Sequence, residues 1–185
     1  VITKFKRDNN LTYTLPQIVV STGAKQALAN IAGVMLNKGD DVILPCPYWV
    51  SYADIVKLND GVPIEVKTSI DTDFKMTASQ LEAAITPNTK MIWFSSPCNP
   101  SGSVYSKSEL RALADVLVKH PNIYVVSDEI YEHINYGEGH TSIAEFDDMY
   151  DRTITVNGVS KAFAMTGWRI GYIGAPEKIA RACNK

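Results

Sequence analysis

The chain has 185 residues, 45% of them hydrophobic, and a mean hydropathy of -0.07, the composition of an ordinary soluble globular domain with a sizeable core. Its 18 Lys and Arg stand against 20 Asp and Glu for a net charge of -2, with no run of like charges, which argues against nucleic acid or a membrane surface as partner. No stretch of about 18 uninterrupted apolar residues is present to span a bilayer. Cys46, Cys98 and Cys183 are too scattered for a disulfide framework or a CxxC metal site, so a reducing, cytoplasmic location is expected.

The chain opens on Val1-Ile2-Thr3-Lys4, neither a signal peptide nor an initiating Met, and is therefore expected to be a piece of a longer protein. The short apolar stretch Ile18-Val19-Val20 leads into a predicted helix over Gly23 to Leu36, with Ala27, Leu28, Ile31 and Met35 on one side. Residues 41–44, 62–66, 91–94, 123–126 and 153–156 are apolar, β-rich runs and are predicted strands. Thr77-Ala78-Ser79-Gln80 and Ser106-Lys107-Ser108-Glu109 have capping-box spacing. The first opens a helix with Leu81, Ala84 and Ile85 inward, the second one with Leu110, Leu113, Val116 and Leu117 inward. No repeat or low-complexity linker interrupts this strand-helix alternation. The pattern specifies an α/β domain with a largely parallel, buried sheet, whose ligands sit in the loops after the strands.

Those loops carry unusual residues, each with two readings. Ser21-Thr22-Gly23-Ala24-Lys25 begins a helix, where free N–H groups and a close-approaching backbone suit a phosphate; a plain Ser/Thr helix cap is the commoner reading of the pattern by itself. In Pro45-Cys46-Pro47-Tyr48-Trp49 the indole is a surface for a flat ring, or packs the next helix on the sheet. In Ser95-Ser96-Pro97-Cys98-Asn99-Pro100-Ser101-Gly102 the Asn99 amide is free to bind a phenolic oxygen, or satisfies the turn. Asp128, in Ser127-Asp128-Glu129-Ile130-Tyr131, ends a buried strand where a carboxylate needs a cationic partner, unless it caps a following helix. Tyr131 stands nearby. His120, His133 and His140 have no metal-ligand spacing, and surface positions account for them.

The segment Ser160-Lys161-Ala162-Phe163-Ala164-Met165-Thr166-Gly167-Trp168-Arg169-Ile170-Gly171-Tyr172 is the most informative. It sets a lysine and an arginine in an apolar and aromatic run that ordinarily excludes charge. Pyridoxal phosphate answers both, its phosphate pairing with Arg169 and its aldehyde condensing with the Lys161 amine. A surface lysine laid along the run is the plainer alternative.

Taken together, the five loops resemble the large domain of class I aminotransferases, within the fold-type I pyridoxal-phosphate enzymes and closest to the bacterial aspartate/prephenate branch. The likeness extends over essentially the whole chain, 1–185, and implies a three-layer α/β/α large-domain core. It implies that Lys161 bonds the cofactor aldehyde, that Asp128 pairs with the pyridine nitrogen, and that Tyr131 and Asn99 bind the phenolic oxygen. It further implies that Trp49 lines the ring and that Gly23, Ala24, Lys25, Ser160 and Arg169 surround the phosphate. Lys161, Asp128 and Tyr131 would be catalytic, and Trp49 and Asn99 would also meet substrate. The implied reaction moves an amino group from aspartate to 2-oxoglutarate in a homodimer, without a metal. Family members also carry an upstream tyrosine that reaches the partner's phosphate and a small domain with a carboxylate-binding arginine. Both lie outside these 185 residues, so the isolated piece is expected to be inactive. Other fold-type I chemistry, such as a C–S lyase or a decarboxylase, and a cofactor-sensing domain of a transcription regulator remain compatible with Lys161 and Asp128.

Overall fold

A computed structural model describes residues 1–137 and 139–185. Seven strands form one sheet: β1 Ile18–Thr22, β2 Asp41–Cys46, β3 Val62–Lys67, β4 Thr89–Ser95, β5 Tyr124–Asp128, β6 Thr153–Gly158 and β7 Ile170–Gly174. They lie in the order β1-β7-β6-β5-β4-β2-β3. Pairing is parallel from β3 through β6, while β7 runs antiparallel to both β6 and β1. The helices are α1 Ile2–Asn9, α2 Ala24–Met35, α3 Ser51–Leu58, α4 Ala78–Ala84, α5 Lys107–Val118, α6 Asp147–Tyr150 and α7 Glu177–Cys183.

The central strands are apolar on both sides because helices cover both. Val42, Leu44, Met91, Trp93, Val126, Ile154 and Val156 face one core with Leu28 and Ile31 of α2, Val56 of α3 and Ile179 of α7. Alternate residues Ile43, Ile92, Phe94 and Val125 face a second core with Leu81 of α4 and Leu110, Leu113 and Leu117 of α5. Period-two alternation thus feeds two helical layers, giving the three-layer α/β/α fold.

The capping boxes do what their spacing predicts. Thr77 and Ser106 each accept the N–H of the residue three positions on, while Gln80 and Glu109 return the bond to the cap backbone. Two strands escape the sequence reading. β7 is Ile-Gly-Tyr-Ile-Gly, where the glycines break the β-rich composition, and β1 extends the short apolar stretch by two polar residues.

β1 and β6 run the same way, since each is antiparallel to β7. The ends of β1, β2, β4, β5 and β6 therefore emerge at one edge of the sheet, and all five loops singled out above converge there. No helix among the described residues is long and apolar enough to cross a membrane.

Candidate functional site

At that edge lies a cavity of about 280 Å³, near the lower end of the roughly 300–1,000 Å³ of small-molecule sites. Ala24 and Lys25 border it from α2, Trp49 and Tyr52 from the β2–α3 connection and α3, and Ser95 and Asn99 from the end of β4 and the loop after it. Asp128, Ile130 and Tyr131 border it from β5 and its loop, and Ser160, Lys161, Thr166 and Arg169 from the β6–β7 connection. Every predicted site residue except Gly23 lines the cavity, and Gly23 is the N-cap of α2 immediately before Ala24.

Asp128 is 4% exposed. Its Oδ2 accepts the Tyr52 hydroxyl at 2.7 Å and its Oδ1 the Ile130 N–H at 3.2 Å. Burial pushes the carboxyl up to about 6; these two bonds and Lys161 pull the other way, and neighbouring Glu129 adds to the rise. The backbone after Asp128 forms turns rather than a helix, so the helix-cap reading is overturned. A buried carboxylate that remains costly to ionise fits a cationic ligand atom better than a structural role.

At the same cavity α2 starts at Gly23 without any side-chain cap, which overturns the Ser/Thr-cap reading and leaves the Ala24 and Lys25 N–H groups for a ligand. Arg169 reaches this helix start by donating to the carbonyls of Thr166 at 3.0 Å and Thr22 at 3.4 Å. Lys25 Nζ lies 4.7 Å from the Trp49 ring centre and Lys161 Nζ 5.8 Å from that of Tyr131. Lys25, Lys161 and Arg169 have no carboxylate within ion-pair range among the described residues. Lys25 and Arg169 at the α2 start, with Lys161 near the buried acid, suit a ligand with an anionic group, an amine-reactive carbon and a protonated ring nitrogen. Pyridoxal phosphate has all three. Between these ends Asn99 Nδ2 donates to the Tyr131 hydroxyl at 3.4 Å, leaving both side chains at the cavity wall rather than bound to the turn. Trp49 does both things expected of it, lining the cavity and packing edge-on against Tyr52.

One premise of the sequence reading fails. Residues 161–170 are not buried: Lys161 and Arg169 are exposed, and so are Phe163 at 56% and Trp168 at 70%. The charges need no rescue from burial; what marks them is convergence on the cavity without acidic partners. Surface placement of the histidines also fails for His140. Its side chain is 8% exposed and its Nε2 lies 3.0 Å from Oε2 of fully buried Glu129. Burial disfavours the charged ring, yet Glu129 and Glu132 outweigh that and raise its pKa. Sequence reasoning assigned no role to Tyr52, Ser95, Ile130 or Thr166. For Tyr52 a signal existed, since it stands one helical turn after Trp49 and shares its face.

Two glycines set the backbone geometry. Gly23 has φ +85°, and a Cβ there would fall 2.4 Å from the Arg169 guanidinium. At Gly171 a Cβ would meet the Gly23 carbonyl carbon and the Ala24 nitrogen at 2.3 Å, so β7 passes against the backbone that opens α2. Gly171→Ala is expected to force these apart, costing about 1–3 kcal/mol in denaturant unfolding. Unchanged stability with normal ligand affinity would show that the contact is not restrictive.

The model of the family described as aminotransferase class I and II matches residues 1–185. The chain is 51% identical to an aspartate/prephenate aminotransferase of Cereibacter sphaeroides, over 97% of this chain and 45% of that protein. It is 48% identical to a bifunctional aspartate aminotransferase and glutamate/aspartate-prephenate aminotransferase of Petunia hybrida, over 98% of this chain and 38% of the relative. Among solved structures it superimposes on an aspartate aminotransferase from Rhizobium meliloti with a TM-score of 0.97 at 47% identity, covering 98% of this chain and 46% of the other. An aromatic aminotransferase from Pyrococcus horikoshii gives 0.95 at 41% identity, covering 98% and 49%. The chain spans less than half the length of these relatives.

Proposed function

The chain belongs to the class I and II aminotransferases, and from that membership we propose that residues 1–185 form the cofactor-binding large-domain core of a pyridoxal-phosphate enzyme that moves an amino group from aspartate to 2-oxoglutarate. The observation that carries this is one small cavity lined by the buried Asp128 carboxylate and by Lys25, Lys161 and Arg169, which have no carboxylate in ion-pair range among the described residues. The names of the relatives support aspartate as donor, and two of them add prephenate as an acceptor.

When bound, the cofactor supplies an aldehyde that condenses with amines and an electron-withdrawing ring that stabilises negative charge at the substrate α-carbon. The chain's residues do the rest. The α2 N-terminus with Gly23, Ala24 and Lys25, together with Ser160 and Arg169, binds the phosphate. Asp128 accepts the ring N–H and, once ionised, keeps that proton in place. Tyr131 and Asn99 would donate to the phenolic oxygen, and Trp49 would line the ring and, with Asn99, meet substrate. Lys161 would hold the cofactor through Nζ, and the same nitrogen, when free, would carry a proton from the substrate α-carbon.

The exposed Phe163, Met165, Trp168 and Ile170 beside the cavity support burial of this rim by further protein in the working homodimer. Unpaired Cys46, Cys98 and Cys183 fit a cytoplasmic enzyme.

The test is an assay of the full-length protein with pyridoxal phosphate, aspartate and 2-oxoglutarate, following oxaloacetate and glutamate by mass spectrometry. Prephenate and aromatic oxo acids serve as alternative acceptors. Cofactor binding with no amino transfer to any of them would reject the aminotransferase and leave a C–S lyase, a decarboxylase or a sensor domain.

A further inference from the structure

We infer that Tyr52 is a positioning residue for this reaction: its hydroxyl, clamped among aromatic rings, sets the orientation of the Asp128 carboxylate that meets the ring nitrogen. This rests on the role proposed for Asp128. Tyr52 is 1% exposed, and its ring stacks on Trp93 at 5.1 Å and 29°. Trp49 meets it edge-on at 5.7 Å and 89°, and Tyr48 stacks on it at 6.4 Å and 15°. Such packing holds the ring to one rotamer and fixes the place its hydroxyl reaches, with Ser95 also beside it. That place is Asp128 Oδ2, at 2.7 Å.

Burial together with the adjacent carboxylate raises the Tyr52 hydroxyl well above its ordinary range, so it stays protonated and serves as an obligate donor. The Ile130 N–H takes the other carboxylate oxygen, and with two oxygens anchored the carboxylate plane is fixed. Trp49 lines the cavity and Tyr52 stands one turn later, so a single helix start carries both the wall for the cofactor ring and the anchor of its acid. The other charged or titratable groups facing this pair are Glu129 beside Asp128, Lys161 from the β6–β7 connection and Cys98 from the loop after β4.

The experiment uses the full-length protein as wild type, Tyr52→Phe, Asp128→Asn and the double variant. In the cofactor-free proteins the Asp128 carboxyl is titrated by difference infrared spectroscopy. Removing a donor from the ionised form is expected to move its midpoint upward in Tyr52→Phe. With pyridoxal phosphate bound, kcat is expected to fall about tenfold while KM for aspartate stays within about twofold, the pattern of a group acting through the acid. The double variant should be no worse than Asp128→Asn, because the two residues act as a unit. Site-specific 3-fluorotyrosine at position 52, a stronger donor of nearly the same shape, should lower the midpoint and needs no cavity-forming change. An unmoved midpoint, or an unmoved kcat in a loaded active enzyme, overturns the inference. A wild type that fails to transaminate counts against the proposed function instead, and the midpoint still decides whether Tyr52 sets Asp128.

Discussion

Replacing Lys161 with alanine in the full-length protein is expected to lower amino transfer by about 10²–10⁴-fold from loss of the proton carrier alone. Loss of the covalent hold on the cofactor should add to that. Two lysines border the cavity, Lys161 and Lys25, and geometry separates them. Lys25 lies against the Trp49 ring on the α2 side, whereas Lys161 lies by Tyr131 and is near enough to Asp128 to favour its ionised form. An amine that must meet an aldehyde while Asp128 meets the ring nitrogen belongs on the Asp128 side. Lys161→Arg keeps the charge but cannot condense, and is expected to fail as badly as alanine. Borohydride reduction of the protein loaded with pyridoxal phosphate should fix the label on the Lys161 peptide. Label on Lys25 with Lys161 untouched would reassign the nucleophile.

Most of the site was legible because each residue sits in a loop whose chemistry is local. Asn99 between prolines, Asp128 at the end of an apolar run and the Gly23 turn at a helix start all declare themselves within a few positions. Long-range facts were not legible. Nothing near His140 announces that it folds back to Glu129, eleven residues earlier, because the pairing depends on how the loop crosses the sheet edge. The exposure of Phe163 and Trp168 was misread for a related reason. An apolar run signals burial, but not whether it is buried within its own domain or against another surface. β7 is not legible because its glycines answer tertiary demands that override strand composition: Gly171 lies against the backbone of Gly23 and Ala24, and Gly174 against the Tyr13 ring.

Asp128→Asn is expected to split stability from function. The asparagine is nearly the same size, can keep the Ile130 N–H on its oxygen, and can donate its amide to the Tyr52 oxygen once that hydroxyl turns. It cannot carry the negative charge that opposes a protonated ring nitrogen, and loss of such a charge partner is worth about 3 kcal/mol or more, over 10²-fold in kcat. Cofactor-free stability should move the other way. The folded carboxyl titrates near 6 because it is buried, against roughly 3.9 in an unfolded chain. Between these values the folded state holds the extra proton, so raising pH through the window makes wild type progressively less stable. Below about pH 4 both states are protonated and the variant should gain nothing. Above about pH 6 it should be more stable than wild type by an amount approaching 3 kcal/mol, at about 1.4 kcal/mol per pKa unit. Denaturant unfolding of the cofactor-free proteins at pH 4 and pH 8 measures this difference. A variant that is less stable at pH 8 and still turns over at the wild-type rate would make Asp128 a structural residue. A more stable, inactive one would identify a carboxylate kept at a cost to the fold, for the cation that the cofactor brings.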